Sequence, residues 1–310
     1  MAERRGAVVI LGVFVADTAY RARRQPRMGE TILGESFALG PGGKGSNQAV
    51  AAARAGAEVH FISRLGQDTF AEMALKTWAE AGVLPEITRD GDSYTGAAYI
   101  FVDDASGENA IIIAPGAAGR ISAADVEARA KLIAGAGVFM TQLEQPIPAA
   151  MRALEIAREG GAVTVLNPAP AAELPEGMLA LCDYVTPNES EAEGLTGIAV
   201  TGRDSAARAA RALIANGAGA AIITLGADGA LYDDGREVRH IPALSAGPVL
   251  ETTGAGDAFA GGFAAALAEG HPPEHAIRFG CATAAISVTR AGTAPSMPAR
   301  TEIDALLEKE

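Results

Sequence analysis

Two hydrophobic rhythms alternate along the chain. Short runs rich in Val and Ile occur at Val8 to Val15, Val59 to Ser63, Gly137 to Met140, Val163 to Leu166, Tyr184 to Thr186 and Ala220 to Thr224, as strands covered on both faces require. Between them lie Ala-rich stretches at Gln48 to Ala55, Ala71 to Ala81, Ala149 to Arg158, Ser205 to Asn216 and Asp257 to Ala268, whose apolar positions follow a helical period. In the second of these, Phe70, Met73, Ala74, Thr77, Trp78 and Ala81 share one face, which assigns Trp78 to the core rather than to a ligand. The succession predicts repeated βα units on a largely parallel, doubly wound sheet with helices on both faces, an α/β fold.

Two segments break the rhythm. Thr31 to Leu39 and Thr95 to Ala114 read as strands with no helix after them, the second a hairpin turning at Asp103 to Asn109. They predict a small β-sheet lid, formed by approximately 16–40 and 95–115, beside a single α/β domain spanning 1–310. Such a lid would cover a site and could pair with a second subunit. No internal repeat, charge block or low-complexity linker divides the chain.

Composition narrows the partners. The 310 residues are 49% apolar but only 5% aromatic, and 38 acidic against 25 basic side chains leave a formal charge of -13. That charge repels a phosphate backbone and anionic lipid alike, so neither nucleic acid nor a membrane is expected as a partner. The two cysteines, Cys182 and Cys281, are too sparse for a disulfide framework or a zinc cluster and point to a reducing compartment, the cytoplasm. Arg4 and Arg5 before the apolar run Ala7 to Ala16 have the outline of a signal peptide. A buried first strand explains the same run, which is Val-rich and ends in Asp17, and no apolar stretch approaches the ~20 residues needed to span a bilayer. His60, His240, His271 and His275 show no metal-ligand spacing.

The chemistry concentrates at glycines. Pro41-Gly42-Gly43-Lys44-Gly45-Ser46-Asn47 precedes a helix, so bare backbone can approach a ligand while Lys44 and Asn47 offer hydrogen bonds. It is not a P-loop, because position 38 is Ala and position 45 is Gly, and by itself it could be a structural turn. The stronger signal is Thr252-Thr253-Gly254-Ala255-Gly256-Asp257-Ala258-Phe259. Small residues at a helix N-terminus leave the backbone N–H groups of Gly254, Ala255 and Gly256 free to form an anion hole for a transferring phosphoryl group. Asp257 at its edge could accept the proton of an attacking hydroxyl, or simply cap the helix. Phe259 stands where a dinucleotide fingerprint needs its third glycine.

The order and separation of these two motifs resemble those of the ribokinase family of carbohydrate kinases, the phosphofructokinase-B type. Further matches carry the resemblance almost end to end: Gly12 with Asp17, Gln142-Leu143-Glu144, Leu166-Asn167-Pro168-Ala169-Pro170, Thr186 to Glu193, Thr224-Leu225-Gly226 and Thr289-Arg290-Ala291-Gly292. It implies one α/β domain with a β lid that doubles as the clasp of a homodimer. It implies an ATP-dependent kinase acting on the 5-hydroxymethyl group of a pentose, D-ribose first, with 2-deoxyribose or another related sugar as the alternative. A sugar-binding sensor without catalysis would not need the transfer motifs. By resemblance Asp17, Gly43, Lys44, Asn47 and Glu144 hold sugar hydroxyls, and Asp257 is the base. Asn188 and the loop Thr224, Leu225, Gly226, Ala227, Asp228 and Gly229 contact ATP together with Gly256. Asn188 and Glu191 organise Mg2+, and a monovalent cation, K+, lies among Glu251, Thr253, Ser287, Arg290, Gly292 and Ser296.

Three sites depart from the family pattern. Gly12-Val13-Phe14-Val15-Ala16-Asp17 replaces the usual Gly-Ser-Ile-Asn-Ala-Asp, putting Val15 where a sugar-binding Asn is expected. Glu251 stands for the usual Asp at the cation site, and Cys281 for a His near the adenine.

Overall fold

The computed structural model describes residues 6–309, so Arg4 and Arg5 lie outside the described residues. Within them thirteen strands form two sheets. In chain order they are β1 (Val8–Leu11), β2 (Val15–Ala22), β3 (Ser36–Gly42), β4 (Val59–Leu65), β5 (Val83–Arg89), β6 (Thr95–Asp103), β7 (Asn109–Gly116), β8 (Val138–Thr141), β9 (Val163–Leu166), β10 (Tyr184–Val185), β11 (Ala220–Thr224), β12 (Ala230–Asp233) and β13 (Val238–Ile241).

The large sheet has the order β13-β12-β11-β10-β9-β8-β1-β4-β5. Its strands run parallel from β5 across to β11, and β12 and β13 close the far edge antiparallel. The two-residue period of a strand divides its side chains between two cores. Val8 and Ile10 of β1 join Trp78, Phe263 and Phe279 on one face, while Val9 and Leu11 join Ile133, Leu154 and Leu213 on the other. Helices therefore cover both faces, the doubly wound arrangement expected from the sequence.

On the first face the helices Lys44–Arg54, Ala255–Ala268 and Pro273–Ser287 pack closely. A Cβ on Gly261 would meet that of Ala51 at 2.5 Å, and one on Gly262 would meet Thr283 Oγ1 at 2.3 Å. Trp78 lies behind them, fully buried, with Phe14 and Phe61 edge-on to its ring at 5.8 and 5.0 Å. Its indole Nε1 donates to Ser46 Oγ at 2.9 Å, which ties the core to the first turn of helix Lys44–Arg54 and so to the loop that carries Lys44 and Asn47.

The second sheet has the order β3-β2-β6-β7. It contains the hairpin of β6 and β7, turned where Asp103 caps the loop by accepting from the N–H groups of Ala105 and Ser106. Its remaining strands correct the sequence reading. The apolar run Val8 to Val15 is not one strand: β1 ends at Leu11, and the chain crosses through Gly12 to Phe14 to enter the other sheet at Val15. The strand expected at Thr31 to Leu39 starts later, at Ser36, and continues to Gly42. Both glycine-rich helices start earlier than their alanines indicated, at Lys44 and Ala255, because tertiary contacts enforce a helix that glycine propensity opposes. The edge strand β5, with Pro85 in it, and helix Pro273–Ser287 were not anticipated. Among the described residues no helix is long and apolar enough to cross a membrane.

Candidate active site

Parallel strands aim all their C-terminal ends the same way, and the predicted residues collect there. Glu144 follows β8, Asn167 follows β9, Thr186 and Asn188 follow β10, and Thr224 ends β11. The chain moves outward from β1 to β4 and β5, then returns to β8 on the other side of β1, so the sheet reverses its winding beside Gly12 and Glu144. Ligands of open α/β sheets bind at such a reversal.

A cleft of about 140 Å³ opens at this edge, lined by Lys44, Asn167, Ala169, Thr186, Asn188, Glu191, Thr224, Thr252, Gly254 to Asp257 and Phe259. A larger hollow of about 630 Å³ lies at the opposite, N-terminal ends of β9 to β11, among Arg158, Asp183, Tyr184 and Tyr232. It holds none of the predicted site residues, so size here does not mark the chemistry.

Two backbone devices shape the cleft. Gly43 has φ +89°, and a Cβ there would lie 2.5 Å from Val13 O; only glycine can start helix Lys44–Arg54 at this point. Gly254, at φ +82°, is the N-cap of helix Ala255–Ala268. The bare turn Gly254-Ala255-Gly256 thus faces the cleft at a helix N-terminus, where dipole and amides favour an anion. One of the expected donors is engaged, since the Ala255 N–H donates to Thr252 O at 3.1 Å.

Asp257 occupies the first turn of that helix, yet it does not cap it. Its Oδ2 accepts from Asn47 Nδ2 and its Oδ1 from Gln48 Nε2, both at 3.0 Å. Burial pushes its carboxyl above the ordinary range, opposed by Lys44 and the two amide donors. Burial would lower the Lys44 ammonium, but the carboxylates of Asp257, Glu144 and Glu191 outweigh it and hold lysine charged. Lys44 also donates its backbone N–H to Glu144 Oε2 at 2.8 Å. Glu144 is raised to about 7 by burial despite that lysine, and Asp17 to about 6 by burial and by repulsion from Asp257. Lys44 is thus the counter-ion of a carboxylate cluster that would otherwise repel phosphates. Val15, two residues before Asp17 on β2, points to the same side of the strand and is buried.

The residues expected to hold a nucleotide and a cation are brought together less uniformly. Asn188 caps helix Glu189–Thr196 through a reciprocal pair, its Oδ1 accepting from Glu191 N–H at 2.8 Å and its N–H donating to Glu191 Oε2 at 2.9 Å. A bridge joins Asn188 to Thr224. In the loop beyond, Leu225 N–H donates to Gly229 O at 2.8 Å, and Asp228 turns to an ion pair with Arg203. Glu251 Oε2 accepts from Gly292 N–H at 2.8 Å, Ser287 and Ser296 are buried beside this segment, and Arg290 pairs with Glu302. Thr253 is exposed. Cys281 is packed in the core of helix Pro273–Ser287, outside the cleft lining, its thiol pushed up to about 12 by burial.

Three polar residues carry no role in the sequence reading: Asn167 and Thr186 in the cleft lining, and Gln48 behind Asp257. Thr186 Oγ1 is buried without a protein hydrogen-bond partner, as is Asn47 Oδ1. A polar residue closing an apolar strand run, as at Leu166-Asn167 and Val185-Thr186, is the available signal for two of them; Gln48, inside a helix, has none.

A family model for "pfkB family carbohydrate kinase" matches residues 7–300. The chain is 40% identical to the ribokinase of Haemophilus influenzae over 98% of this chain and 99% of that one. It is 34% identical to the deoxyribokinase of Salmonella typhi, over 94% and 95%. The structure of Arabidopsis thaliana ribokinase complexed with ribose and ATP superposes with a TM-score of 0.91 at 29% identity, covering 99% of each chain.

Proposed function

The chain belongs to the pfkB family of carbohydrate kinases, phosphotransferases with an alcohol group as acceptor, and on that premise we propose that it converts D-ribose and ATP to D-ribose 5-phosphate and ADP. The observation that carries the reading is the placement of Asp257: buried at the mouth of a glycine-lined helix N-terminus, with Lys44 beside it. In this reading Asp257 accepts the proton of the sugar's 5-hydroxyl as that oxygen bonds to the γ-phosphorus. The bond from phosphorus to the β-γ bridging oxygen breaks, and ADP leaves with the electron pair. The amides of Gly254 and Gly256, but not the Ala255 N–H that is engaged by Thr252 O, face the charge that develops on the transferring group, the contribution that dominates such reactions. Asp17, Gly43, Lys44, Asn47 and Glu144 hold the sugar; the unpartnered Asn47 Oδ1 is an acceptor ready for a hydroxyl.

Asn188, Thr224 to Gly229 and Gly256 take the ATP, while Cys281 is buried in the core and outside the cleft lining. One carboxylate, Glu191, and the orphaned Thr186 hydroxyl form an oxygen donor set that fits Mg2+, which keeps waters and shares its shell with phosphates. When bound, that ion neutralises phosphate charge. Glu251, Thr253, Ser287, Arg290, Gly292 and Ser296 would hold K+. The sheet of β3, β2, β6 and β7 is read as the lid of a single domain, and its exposed Phe37, Leu39, Ile111, Ile112 and Ile113 as the contact of a homodimer; a monomer in sedimentation would count against the latter. Two free cysteines fit the cytoplasm.

A second sugar has one observation in its favour, since Val15 offers no hydrogen bond where the family uses Asn. 2-Deoxyribose is therefore the competing substrate, and the deoxyribokinase relative supports weighing it. Coupled ADP release over ribose, 2-deoxyribose, hexoses and nucleosides tests the assignment. Turnover of ribose or 2-deoxyribose well above the others is expected, and preference for a hexose or a nucleoside would overturn it.

A further inference from the structure

Behind Asp257 lies a run of buried side-chain amides that no assigned role uses. Gln48 is fully buried on helix Lys44–Arg54. Its Nε2 donates to Asp257 Oδ1 and to Asn167 Oδ1, each at 3.0 Å, and its Oε1 accepts from Gln142 Nε2 at 2.6 Å. Asn167 Nδ2 in turn donates to the backbone carbonyl of Thr186 at 2.8 Å.

The direction of this chain is forced. A carbonyl can only accept, so Thr186 O turns the NH2 group of Asn167 toward itself and leaves Asn167 Oδ1 facing Gln48. Gln48 must then present its NH2 group, whose two hydrogens are both used, one on Asn167 and one on Asp257. Its oxygen is left for Gln142. A main-chain atom at the end of β10 thereby fixes which way an amide points at the proposed base on another element.

We infer, on the reading of Asp257 as the base, that Gln48 is a positioning residue for phosphoryl transfer. Its oriented N–H locks one carboxylate oxygen, Asn47 locks the other, and the remaining lone pairs of Asp257 face the acceptor hydroxyl. Gln48 is outside the cleft lining and touches the acceptor only through Asp257, so it acts on the reacting geometry and not on substrate binding.

Gln48→Met keeps the length and removes the donor. Because a small misplacement of a reacting group can cost about 10²-fold, kcat should fall by ~10- to 100-fold while KM for sugar and for ATP stays within about threefold. The double variant Gln48→Met/Gln142→Met removes both partners of the shortest bond, is the more readily folded, and carries the same readout. Gln142→Met alone leaves the Gln48 to Asp257 bond in place and should lose less than about fivefold in kcat. Melting temperatures establish that each variant is folded. A folded Gln48→Met, or the double variant, with kcat within about threefold of the parent overturns the inference, as does an equal kcat loss in Gln142→Met alone. Asp257→Asn, run alongside, should lose ~10² to 10⁴-fold in kcat. If it does and the Gln48 variants do not, only the role of Gln48 falls; near-full turnover of Asp257→Asn would remove the base assignment itself.

Discussion

Val15 sits two residues from Asp17 on the same side of β2, and its Cγ1 lies 2.9 Å from where a Cβ on Gly96 would stand, so strand, glycine and side chain fit closely. An Asn here could bond a sugar hydroxyl, for ~0.5 to 1.5 kcal/mol net; Val can do neither half of that. A hydroxyl buried against it without another partner loses affinity, whereas a sugar lacking that hydroxyl meets an apolar wall and loses nothing. The wild type should therefore discriminate weakly between ribose and 2-deoxyribose. Val15→Asn should raise the ribose preference in kcat/KM by up to about tenfold, or ~1.4 kcal/mol. An unchanged ratio would mean that Val15 does not face the sugar.

Two helix N-termini, not two strands, carry the groups proposed to react. Helix Lys44–Arg54 presents Lys44, Asn47 and Gln48 from its first turns, and helix Ala255–Ala268 presents Asp257 from its own. Both begin at a glycine with positive φ, and the second is preceded by Glu251, whose carboxylate is tied to Gly292 N–H. A cation at this loop would stiffen the approach to Gly254. Glu carries its carboxylate one methylene further out than Asp, so at the proposed K+ site the side-chain ligand would shift while the carbonyl ligands would persist. Rates in K+ against a large organic cation should show activation of less than about tenfold, under ~1.4 kcal/mol of coupling. Equal rates in the two salts would argue that the loop binds no cation.

At the scale of the molecule, the site collects acidic groups that folding has to bury. Asp17 at about 6 and Glu144 at about 7 stand above the values of roughly 4 that they take in an unfolded chain. Between those values the native state binds more protons than the unfolded one, so stability falls as pH rises through this window and is recovered on acidification. Asp17→Asn removes one of these groups. Without sugar, its melting temperature between about pH 5 and 7.5 should vary less than that of the wild type, the difference amounting to a few degrees. Parallel curves would mean that Asp17 titrates at an ordinary value.

The sequence by itself determined the alternation of buried strands and helices, because a strand covered on both faces has to be apolar throughout and a covering helix has to be apolar on one side. Strand Val163–Leu166 and the hairpin of β6 and β7 could be read directly. Gly43, Lys44, Asn47, Gly254 and Asp257 were legible as candidates for a related reason: backbone that turns tightly or approaches a neighbour closely leaves glycines in a row. The tertiary structure decided what local pattern cannot hold. The run Val8 to Val15 is uniformly apolar, and only the packing of two sheets decides that it breaks at Gly12. Gln48 and Asn167, 119 positions apart, read as ordinary polar residues, since the amide that one offers the other exists only where helix Lys44–Arg54, begun at Gly43, meets the ends of β9 and β10.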